Sequence, residues 1–376
     1  MTIYLDHAAT TPVNPEALQA AWPWLTNEFG NPSSSHEIGT RAASALGDAR
    51  SRAAKFFNVR PAEITFTSGG TESDNLAIVG LALANPRGKH IISAKSEHEA
   101  VLASIEFLER VHGFETSWLE LDEFGQVTNF VDALRPDTTL VSLMISNNEI
   151  GTVHPVAQFA EAAHEVGALF HTDAVQAVGW LDLDMQKIDV DALSVSGHKF
   201  GAPKGSGLLV LRSRAHAEPL IHGGGQESGL RSGTENVAWA VALATALDSL
   251  APANIEADRV STLRDEFIAA VTSKVTNAKL TGHPMNRQAN LASFTFAGVS
   301  GEAVLLELER RGIVVSSGSA CAAGSNDPSH VLLAIGVSAD VAQTSVRFSF
   351  SHHTTAEELQ KAAQSLAEAV AVFIKP

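Results

Sequence analysis

Short apolar runs alternate with longer amphipathic segments between residues 60 and 212. Runs rich in Val, Ile and Leu predict strands at EITF (63–66), HIIS (90–93), LVSLMI (140–145), ALFH (168–171), ALSV (192–195) and GLLVL (207–211). The periodic apolar positions between these runs predict helices at 72–84, 99–111 and 156–167. Strands that alternate with helices are typical of a largely parallel sheet covered by helices on both faces.

A smaller unit is predicted after this sheet. The pattern is mainly helical from 235 to 275, strands are predicted near 291–298, 312–316 and 345–350, and a closing helix spans 356–373. A chain of 376 residues is long enough to build two such units. The pattern therefore predicts an α/β protein with a large sheet domain and a smaller α+β domain.

Charge and composition narrow the range of partners. The 45% content of hydrophobic residues is ordinary for a globular protein, and 26 Lys and Arg against 42 Asp and Glu give a net charge of −16. Such a surface repels phosphate backbones and anionic membranes, so we expect no direct nucleic-acid partner and no membrane partner. A protein partner with a basic patch would be attracted instead.

The sequence indicates neither a secretory signal nor a membrane span. The start, MTIYLDHAATTP, has no basic region followed by an apolar one, and the longest apolar run, VAWAVALATAL, has 11 residues against the roughly 20 of a membrane span. The single cysteine, Cys321, cannot form an internal disulfide, which fits a reducing compartment. We therefore expect a cytoplasmic protein.

Polar clusters follow five of the predicted strands. They are SGGT (68–71), EHE (97–99), NNE (147–149), TDAVQ (172–176) and SGHK (196–199). Open α/β sheets bind ligands at the carboxyl edge of their parallel strands. We therefore predict the active site at this edge.

Lysine, aspartate and histidine at this edge suggest chemistry on an aldehyde that carries a pyridine ring. Lys199 follows a strand, and burial would lower its pKa and supply the neutral amine that attacks an aldehyde; alternatively it is a solvated loop residue. Asp173 could pair with a protonated pyridine nitrogen while Gln176 reaches the ring's phenolic oxygen, or Asp173 could cap a helix. His98 could stack on the ring or cap a helix.

Two glycine-containing segments could bind a phosphate. SGGTESDN (68–75) joins a strand to a helix, and its backbone amides and helix N-terminus offer an anion site, although Gly-Gly-Thr by itself is a weak signal. RSGT (231–234) supplies a further hydroxyl, Thr234, and an arginine, Arg231, that could serve the same phosphate.

A cysteine and an arginine in the C-terminal part complete the candidate chemistry. Cys321 lies in SSGSACAAGSNDPSH (316–330), among small polar residues where a thiolate could reach a substrate, or it is an incidental exposed thiol. Arg347, within SVRFSF, could hold a substrate carboxylate through two parallel hydrogen bonds, or it is a rim residue of an edge strand.

Motifs along nearly the whole chain resemble one enzyme family. The segments, in order, are LDHAATTP, GNPSS, SGGTESDN, EH, NNEIG, DAVQ, SGHKFGAPKG, GGGQE, RSGTENV, SSGSAC and VRFS. From about residue 3 to 360 the sequence closely resembles the cysteine desulfurases of the NifS/IscS-like group. These are fold-type I, class-V aminotransferase-like enzymes that use pyridoxal 5'-phosphate (PLP).

The resemblance implies a role for each motif residue. Lys199 would bind PLP covalently, Asp173 would pair with the pyridine nitrogen, and His98 would stack on the ring and assist proton transfer. Gln176 and Asn148 would contact the cofactor, and Asn148 and Arg347 would hold the substrate carboxylate. The phosphate would be bound by Gly70, Thr71, Ser196 and His198, joined by Thr234 from the second subunit of a homodimer.

The resemblance also implies a reaction and a set of partners. L-cysteine would be converted to L-alanine, and the sulfur would remain on Cys321 as a persulfide. An acceptor protein, such as an iron–sulfur scaffold or a tRNA-thiolation enzyme, would then take it. No intrinsic metal is expected, although the Cys321 thiol is compatible with transient ligation of an iron–sulfur cluster. Alternatives are a selenocysteine lyase, another PLP lyase or a transaminase on the same fold, and a non-catalytic sulfur-transfer scaffold.

The resemblance also implies a division of the chain into two domains. The large PLP-binding domain, with a mostly parallel seven-stranded sheet between helices, is expected at 15–255. The small domain is expected at 1–14 and 256–376 and would carry the loop of Cys321.

Relatives commonly have Arg at the position of Ser228 and Gly-Arg at those of Ser351 and His352. We expect these departures to tune partners or substrate.

Overall fold

A computed structural model describes residues 2–85, 87–317 and 327–373. Its strands are β1 (Ile3–Tyr4), β2 (Ile64–Thr67), β3 (His90–Ala94), β4 (Glu115–Leu119), β5 (Thr138–Ser142), β6 (Leu169–Asp173), β7 (Ala192–Ser196), β8 (Gly207–Leu211), β9 (Ala278–Leu280), β10 (Leu291–Phe296), β11 (Ile313–Val314) and β12 (Val346–Ser349). Its α-helices are α1 (Pro15–Thr26), α2 (Glu37–Phe56), α3 (Gly70–Ala84), α4 (Glu99–Phe107), α5 (Phe130–Ala133), α6 (Val156–Glu165), α7 (Met185–Ile188), α8 (Val237–Asp248), α9 (Ala253–Lys274), α10 (Gly301–Arg310), α11 (His330–Ala334), α12 (Ala339–Ala342) and α13 (Ala356–Phe373).

Seven strands form the large sheet, in the order β2-β8-β7-β6-β5-β3-β4. Strands β3, β4, β5, β6 and β7 pair in parallel, whereas β8 is antiparallel to both of its neighbours, β2 and β7. The prediction of a mostly parallel seven-stranded sheet is confirmed. Because the five parallel strands β3 to β7 point the same way, the polar residues that follow β3, β5, β6 and β7 lie at one edge of the sheet.

Apolar residues cover both faces of this sheet. Neighbouring strand residues alternate between two separate hydrophobic clusters: Ile91 packs with Leu76 of α3, whereas Ile92 packs with Phe170 on the other face. Successive side chains of a strand point to opposite faces, so continuous apolar runs require a cover on each side. The helices provide that cover, and the apolar runs of the sequence are explained by it.

The C-terminal part builds its own hydrophobic cluster. The antiparallel sheet β12-β10-β9 packs with α9 and α13, and Phe267, Phe294 and Phe348 are fully buried in this cluster. The N-terminal strand β1 pairs in parallel with β11, and Ile3 belongs to the same cluster. The boundary predicted between residues 255 and 256 falls inside the first turn of α9, and the division into domains stays a prediction.

Several elements differ from those predicted. The sequence pattern did not indicate α1, α2 or the edge strand β4, in which the polar and apolar side chains are mostly half-exposed. The helix predicted at 99–111 is α4 followed by a π-helical turn, Leu108–His112. Within the ranges that the structure describes, no helix combines the length and apolar character needed to cross a bilayer.

Candidate active site

A cavity of about 330 Å³ lies at the carboxyl edge of the large sheet. Its lining includes every predicted site residue except Arg231, Thr234 and Cys321, namely Gly70, Thr71, His98, Asn148, Asp173, Gln176, Ser196, His198, Lys199 and Arg347. These residues come from segments far apart in the sequence: Gly70 and Thr71 follow the edge strand β2, the others follow or end the parallel strands β3, β5, β6 and β7, and Arg347 is added from the small sheet. These side chains therefore meet at the carboxyl edge of the large sheet, where the sequence predicts the active site.

Lys199 is placed by the end of β7. The strand stops at Ser196, and a short 3₁₀ turn, Gly197–Lys199, turns the lysine toward the N-terminal segment. Its Nζ donates hydrogen bonds to the carbonyl oxygens of Ala8 and Ala9, at 2.5 and 2.9 Å. The Nε2 of Gln176 donates to the same Ala8 oxygen at 3.0 Å. The segment LDHAATTP thus forms one wall of the cavity.

Asp173 and His98 both line the cavity, and the side chain of each accepts a hydrogen bond from a nearby backbone N–H. Asp173 is the last residue of β6, and its Oδ1 accepts a hydrogen bond from the Val175 N–H at 2.8 Å while the residue also lines the cavity. The Nδ1 of His98 caps α4 by accepting from the Ala100 N–H at 3.1 Å. Because Nδ1 accepts, the proton of a neutral His98 ring is on Nε2.

Two further buried carboxyl groups surround Asp173. Burial, and then the Asp173 charge, raises the pKa of Asp74 well above its usual range. Burial also raises the pKa of Glu97 well above its usual range, although the hydrogen bond that Glu97 accepts from the Met144 N–H acts to lower it. Burial raises the pKa of Asp173 too, but His98, the Val175 N–H and Lys199 oppose this effect. The surroundings of Asp173 thus oppose the rise of its pKa, whereas burial and neighbouring charge favour the protonated form of Asp74 and Glu97.

The start of α3 forms a cradle that fits an anionic group. A Cβ on Gly70 would lie 2.8 Å from the Cγ2 of Val175 and 3.4 Å from the Cβ of Ser196, so only glycine allows this close approach. The first N–H groups of α3 and the hydroxyls of Thr71 and Ser196 are donors suited to phosphate oxygens. With Asp173 available for a pyridinium nitrogen and Lys199 for an aldehyde, these residues fit PLP.

His198 lines the same cradle as a neutral side chain. Burial lowers its pKa to about 4, and the charges of Lys199 and Lys204 act in the same direction. Its Nδ1 lies 3.1 Å from the Thr10 hydroxyl. A neutral imidazole keeps one N–H, with which it can donate a hydrogen bond to a phosphate oxygen.

Arg347 is buried although its strand lies at the edge of the small sheet. Its Nη1 donates to the Asn148 carbonyl oxygen at 2.8 Å, and its Nη2 donates to Asp6 Oδ1 at 2.9 Å. Its backbone pairs in both directions with Ser316, and its buried Nε has no hydrogen-bond partner among the residues that the structure describes. The rim position considered from the sequence is therefore wrong, and the carboxylate of Asp6, which that reasoning missed, is a direct partner.

Two residues predicted near the phosphate take other positions. Arg231 forms an ion pair with Glu72 over 2.9 Å, so the suggestion that it serves the phosphate is not supported by its contact. Thr234 is exposed and does not line the cavity of its own chain. Cys321 lies outside the described residues.

A second cavity, of about 780 Å³, shares Gln176 and Lys199 with the first. Ser351 and His352, which depart from the family pattern, line this larger cavity. The His352 ring stacks on Trp180, with the ring centroids 4.0 Å apart. Ser351 and His352 therefore lie next to the candidate active-site cavity and not within its lining.

Comparison with known proteins identifies the family. The family described as Aminotransferase class-V matches residues 3–362. The chain belongs to the class-V aminotransferase family. Enzymes of this family depend on PLP, in agreement with the residues that line the cavity.

Related class-V enzymes narrow the group. The chain is 45% identical to cysteine desulfurase IscS of Dictyoglomus turgidum over 95% of this chain and 91% of that protein. It is 44% identical to cysteine desulfurase IscS of Methanosarcina thermophila, over 98% of this chain and 92% of that protein. Within the class-V family the protein is thus an enzyme of the cysteine desulfurase group, which confirms the resemblance.

Solved structures of this family share the fold. A NifS-like protein superposes with a TM-score of 0.90 and 33% identity, over 99% of this chain and 100% of that one. SspA, solved in complex with cysteine, superposes with a TM-score of 0.83 and 36% identity, over 94% of this chain and 100% of that one.

Proposed function

We propose that the protein removes sulfur from L-cysteine, releases L-alanine and leaves the sulfur as a persulfide on Cys321. The observation that carries the proposal is that Lys199, Asp173 and Arg347 line one cavity of about 330 Å³. The reaction requires three groups: an amine to bind the cofactor's aldehyde, a carboxylate to pair with its pyridinium nitrogen, and a cation to bind the substrate carboxylate. Lys199, Asp173 and Arg347 supply them in that order.

The cradle and the sheet edge would hold PLP. Gly70, Thr71, Ser196 and His198 would bind its phosphate, Asp173 its ring nitrogen and Lys199 its aldehyde, with Gln176 and Asn148 in contact with the ring. When bound, PLP withdraws electrons from the α-carbon of the substrate. The raised pKa values of Asp74 and Glu97 support this arrangement, because they favour Asp173 as the carboxylate that pairs with a cation.

Arg347 and Asn148 would orient the substrate through its carboxylate. The fixed position of the guanidinium, held by Asp6 and the Asn148 carbonyl, supports a geometric as well as an electrostatic role. Lys199 and the Nε2 of His98 would carry the α-proton. The Nδ1 of His98 is engaged by the Ala100 N–H, which keeps the ring in one orientation.

Sulfur transfer would use Cys321. Its thiolate attacks the substrate sulfur, an S–S bond forms, the C–S bond breaks, and the electron pair remains on carbon, which takes a proton to become alanine. Cys321 follows Ser316 by five residues in the sequence, and Ser316 is paired with the backbone of Arg347. Five residues span at most about 17 Å, so this connection is compatible with a thiol that reaches the substrate.

A homodimer would complete the site. The loop that carries Thr234 is held by the buried Arg50–Glu227 ion pair, at 2.7 Å, so its exposed tip has a defined position. An exposed apolar stripe on and after α1 supports an interface between subunits: Leu18, Trp22, Leu25 and Phe29, with 47%, 61%, 49% and 75% of each residue exposed. Thr234 would enter the partner's phosphate site.

The persulfide would pass to an acceptor protein, such as an iron–sulfur scaffold or a tRNA-thiolation enzyme. The net charge of −16 favours an acceptor with a basic contact surface. The single cysteine supports a place in the reducing cytoplasm, where Cys321 has no intramolecular disulfide partner.

The test is incubation of the holoenzyme with L-cysteine and a reductant, with assays for alanine and sulfide in equal amounts. Cys321→Ser should keep the absorbance of bound PLP and its shift with cysteine, but release almost no sulfide. A keto acid in place of alanine would identify a transaminase, and a strong preference for selenocysteine would identify a selenocysteine lyase. Borohydride reduction followed by peptide mapping should place the pyridoxyl group on Lys199.

A further inference from the structure

The carboxylate of Asp6 forms an ion pair with the guanidinium of Arg347, which lines the candidate active-site cavity. Arg347 Nη2 donates to Asp6 Oδ1 at 2.9 Å, and the side chains are 3% and 17% exposed. The two residues are 341 positions apart in the sequence. Burial at this level protects the pair from screening by solvent and salt, so the charge of each side chain acts strongly on the other.

The backbone around Asp6 holds this carboxylate in place. The Asp6 carbonyl oxygen accepts from the Tyr4 hydroxyl at 3.0 Å and from the Ala9 N–H at 3.1 Å. Asp6 also forms a parallel bridge with Ser349, two residues after Arg347 on β12. Both partners of the ion pair are thus fixed by the same strand, and Asp6 cannot swing away from Arg347 without breaking these contacts.

Asp6 lowers the net positive charge of the proposed carboxylate site around Arg347. Asp6 balances Arg347, and burial raises the pKa of Glu149, which lies nearby, so that this carboxyl tends toward its neutral form. Lys199 and Asp173 form a second positive and negative pair across the same cavity. An anion that enters without a positive charge of its own leaves a net negative charge in a buried site, whereas a zwitterion does not.

We propose that Asp6 is a specificity-determining residue, which makes the site select zwitterionic amino acids over carboxylates that lack an ammonium group. The inference rests on the proposed role of Arg347 as the carboxylate ligand. Within the described part of the chain, the Nε of Arg347 and the second hydrogens of its two Nη atoms are not used by other residues, so Asp6 reduces the net charge of the site without occupying all of its donors.

Two ligands that differ only in the ammonium group test the proposal: L-alanine and propionate. Their dissociation constants are measured on the holoenzyme by calorimetric titration. Asp6→Asn keeps an oxygen acceptor for Arg347 but removes the opposing charge. We expect it to tighten propionate binding about 10-fold while alanine binding changes less than about 3-fold. Asp6→Glu, which keeps the charge, should retain the wild-type ratio of the two constants.

Control variants separate this inference from the proposed function. Asp265→Asn removes the carboxylate partner of Arg264, 2.7 Å away and outside the cavity, and should change neither constant. Arg347→Lys should weaken both ligands. If it does so while Asp6→Asn leaves the ratio unchanged, the role of Asp6 is refuted and that of Arg347 stands. If Arg347→Lys affects neither ligand, the carboxylate site itself is wrongly assigned.

Discussion

The hydroxyl of Ser329 donates a hydrogen bond to Oε2 of Glu149 over 2.5 Å, between two residues that are almost completely buried. Ser329 also caps α11 by accepting from the Leu332 N–H at 3.1 Å. Glu149 follows Asn148, whose carbonyl oxygen accepts from Arg347. This contact therefore joins the substrate side of the cavity to the helix that follows the segment containing Cys321.

Loss of the Glu149–Ser329 contact should slow sulfur transfer without loss of the cofactor. Ser329→Ala and Glu149→Ala should each lower the first-turnover rate of alanine formation about 10-fold, because a buried group loses its partner. The double variant should be no slower than either single one, since both remove the same contact. Glu149→Gln, which keeps a hydrogen-bonding oxygen, should be close to wild type. Additive effects in the double variant would show that the two residues act separately.

Replacement of Arg347 by lysine should impair catalysis through lost geometry. Lysine keeps the charge but cannot form two parallel hydrogen bonds to a carboxylate, so the substrate is poorly oriented. We expect kcat/KM for cysteine to fall about 100-fold, equivalent to about 2.7 kcal/mol, in steady-state assays of alanine. The absorbance of the bound cofactor should not change. Near-normal kcat/KM would make Arg347 a structural residue of β12.

Removal of the Thr234 hydroxyl should loosen the cofactor without separating the subunits. Thr234→Ala should retain PLP about 10-fold less tightly in dialysis followed by absorbance, because one hydrogen bond to a charged phosphate is lost. Sedimentation should give the same dimer for this variant and for wild type. Thr272→Ala, at an exposed position of α9, serves as the matched control. A fully active monomer at nanomolar concentration would contradict the shared site.

Acidification should destabilise the fold through His171, which lies beneath the site. It is fully buried between the hydroxyls of Ser142 and Ser194, each 2.9 Å away, and burial lowers its pKa to about 3. An unfolded histidine has a pKa of about 6.5, so between about pH 6.5 and pH 3 the unfolded chain binds a proton that the folded chain does not. Stability from this residue is therefore lost as the pH falls, by about 1.4 kcal/mol per pH unit.

Urea unfolding between pH 7 and pH 5 measures this dependence. His171→Gln should reduce the pH slope of the unfolding free energy relative to wild type, whatever its effect on stability at pH 7. His216→Gln, at an exposed histidine, should leave the slope unchanged. Equal slopes for wild type and His171→Gln would mean that His171 is not neutral in the folded state.

The apolar runs and the polar residues that follow them were sufficient to predict where the candidate site residues come together. Runs such as ALSV and GLLVL are continuous because both faces of the sheet are covered, and such runs are visible without coordinates. Lys199 and Asp173 follow or end parallel strands, so the direction of those strands brings them to one edge. The motifs then indicated the chemistry, and the relatives confirmed the family.

The tertiary structure decided which charges meet at that edge. Asp6 and Arg347 are 341 residues apart, and no local pattern predicts their ion pair. The reversed direction of β8 and the half-exposed edge strand β4 likewise depend on neighbouring strands rather than on their own residues. The raised pKa values of Asp74 and Glu97 have the same origin, because a pKa depends on burial and on nearby charges, and the fold alone brings these together.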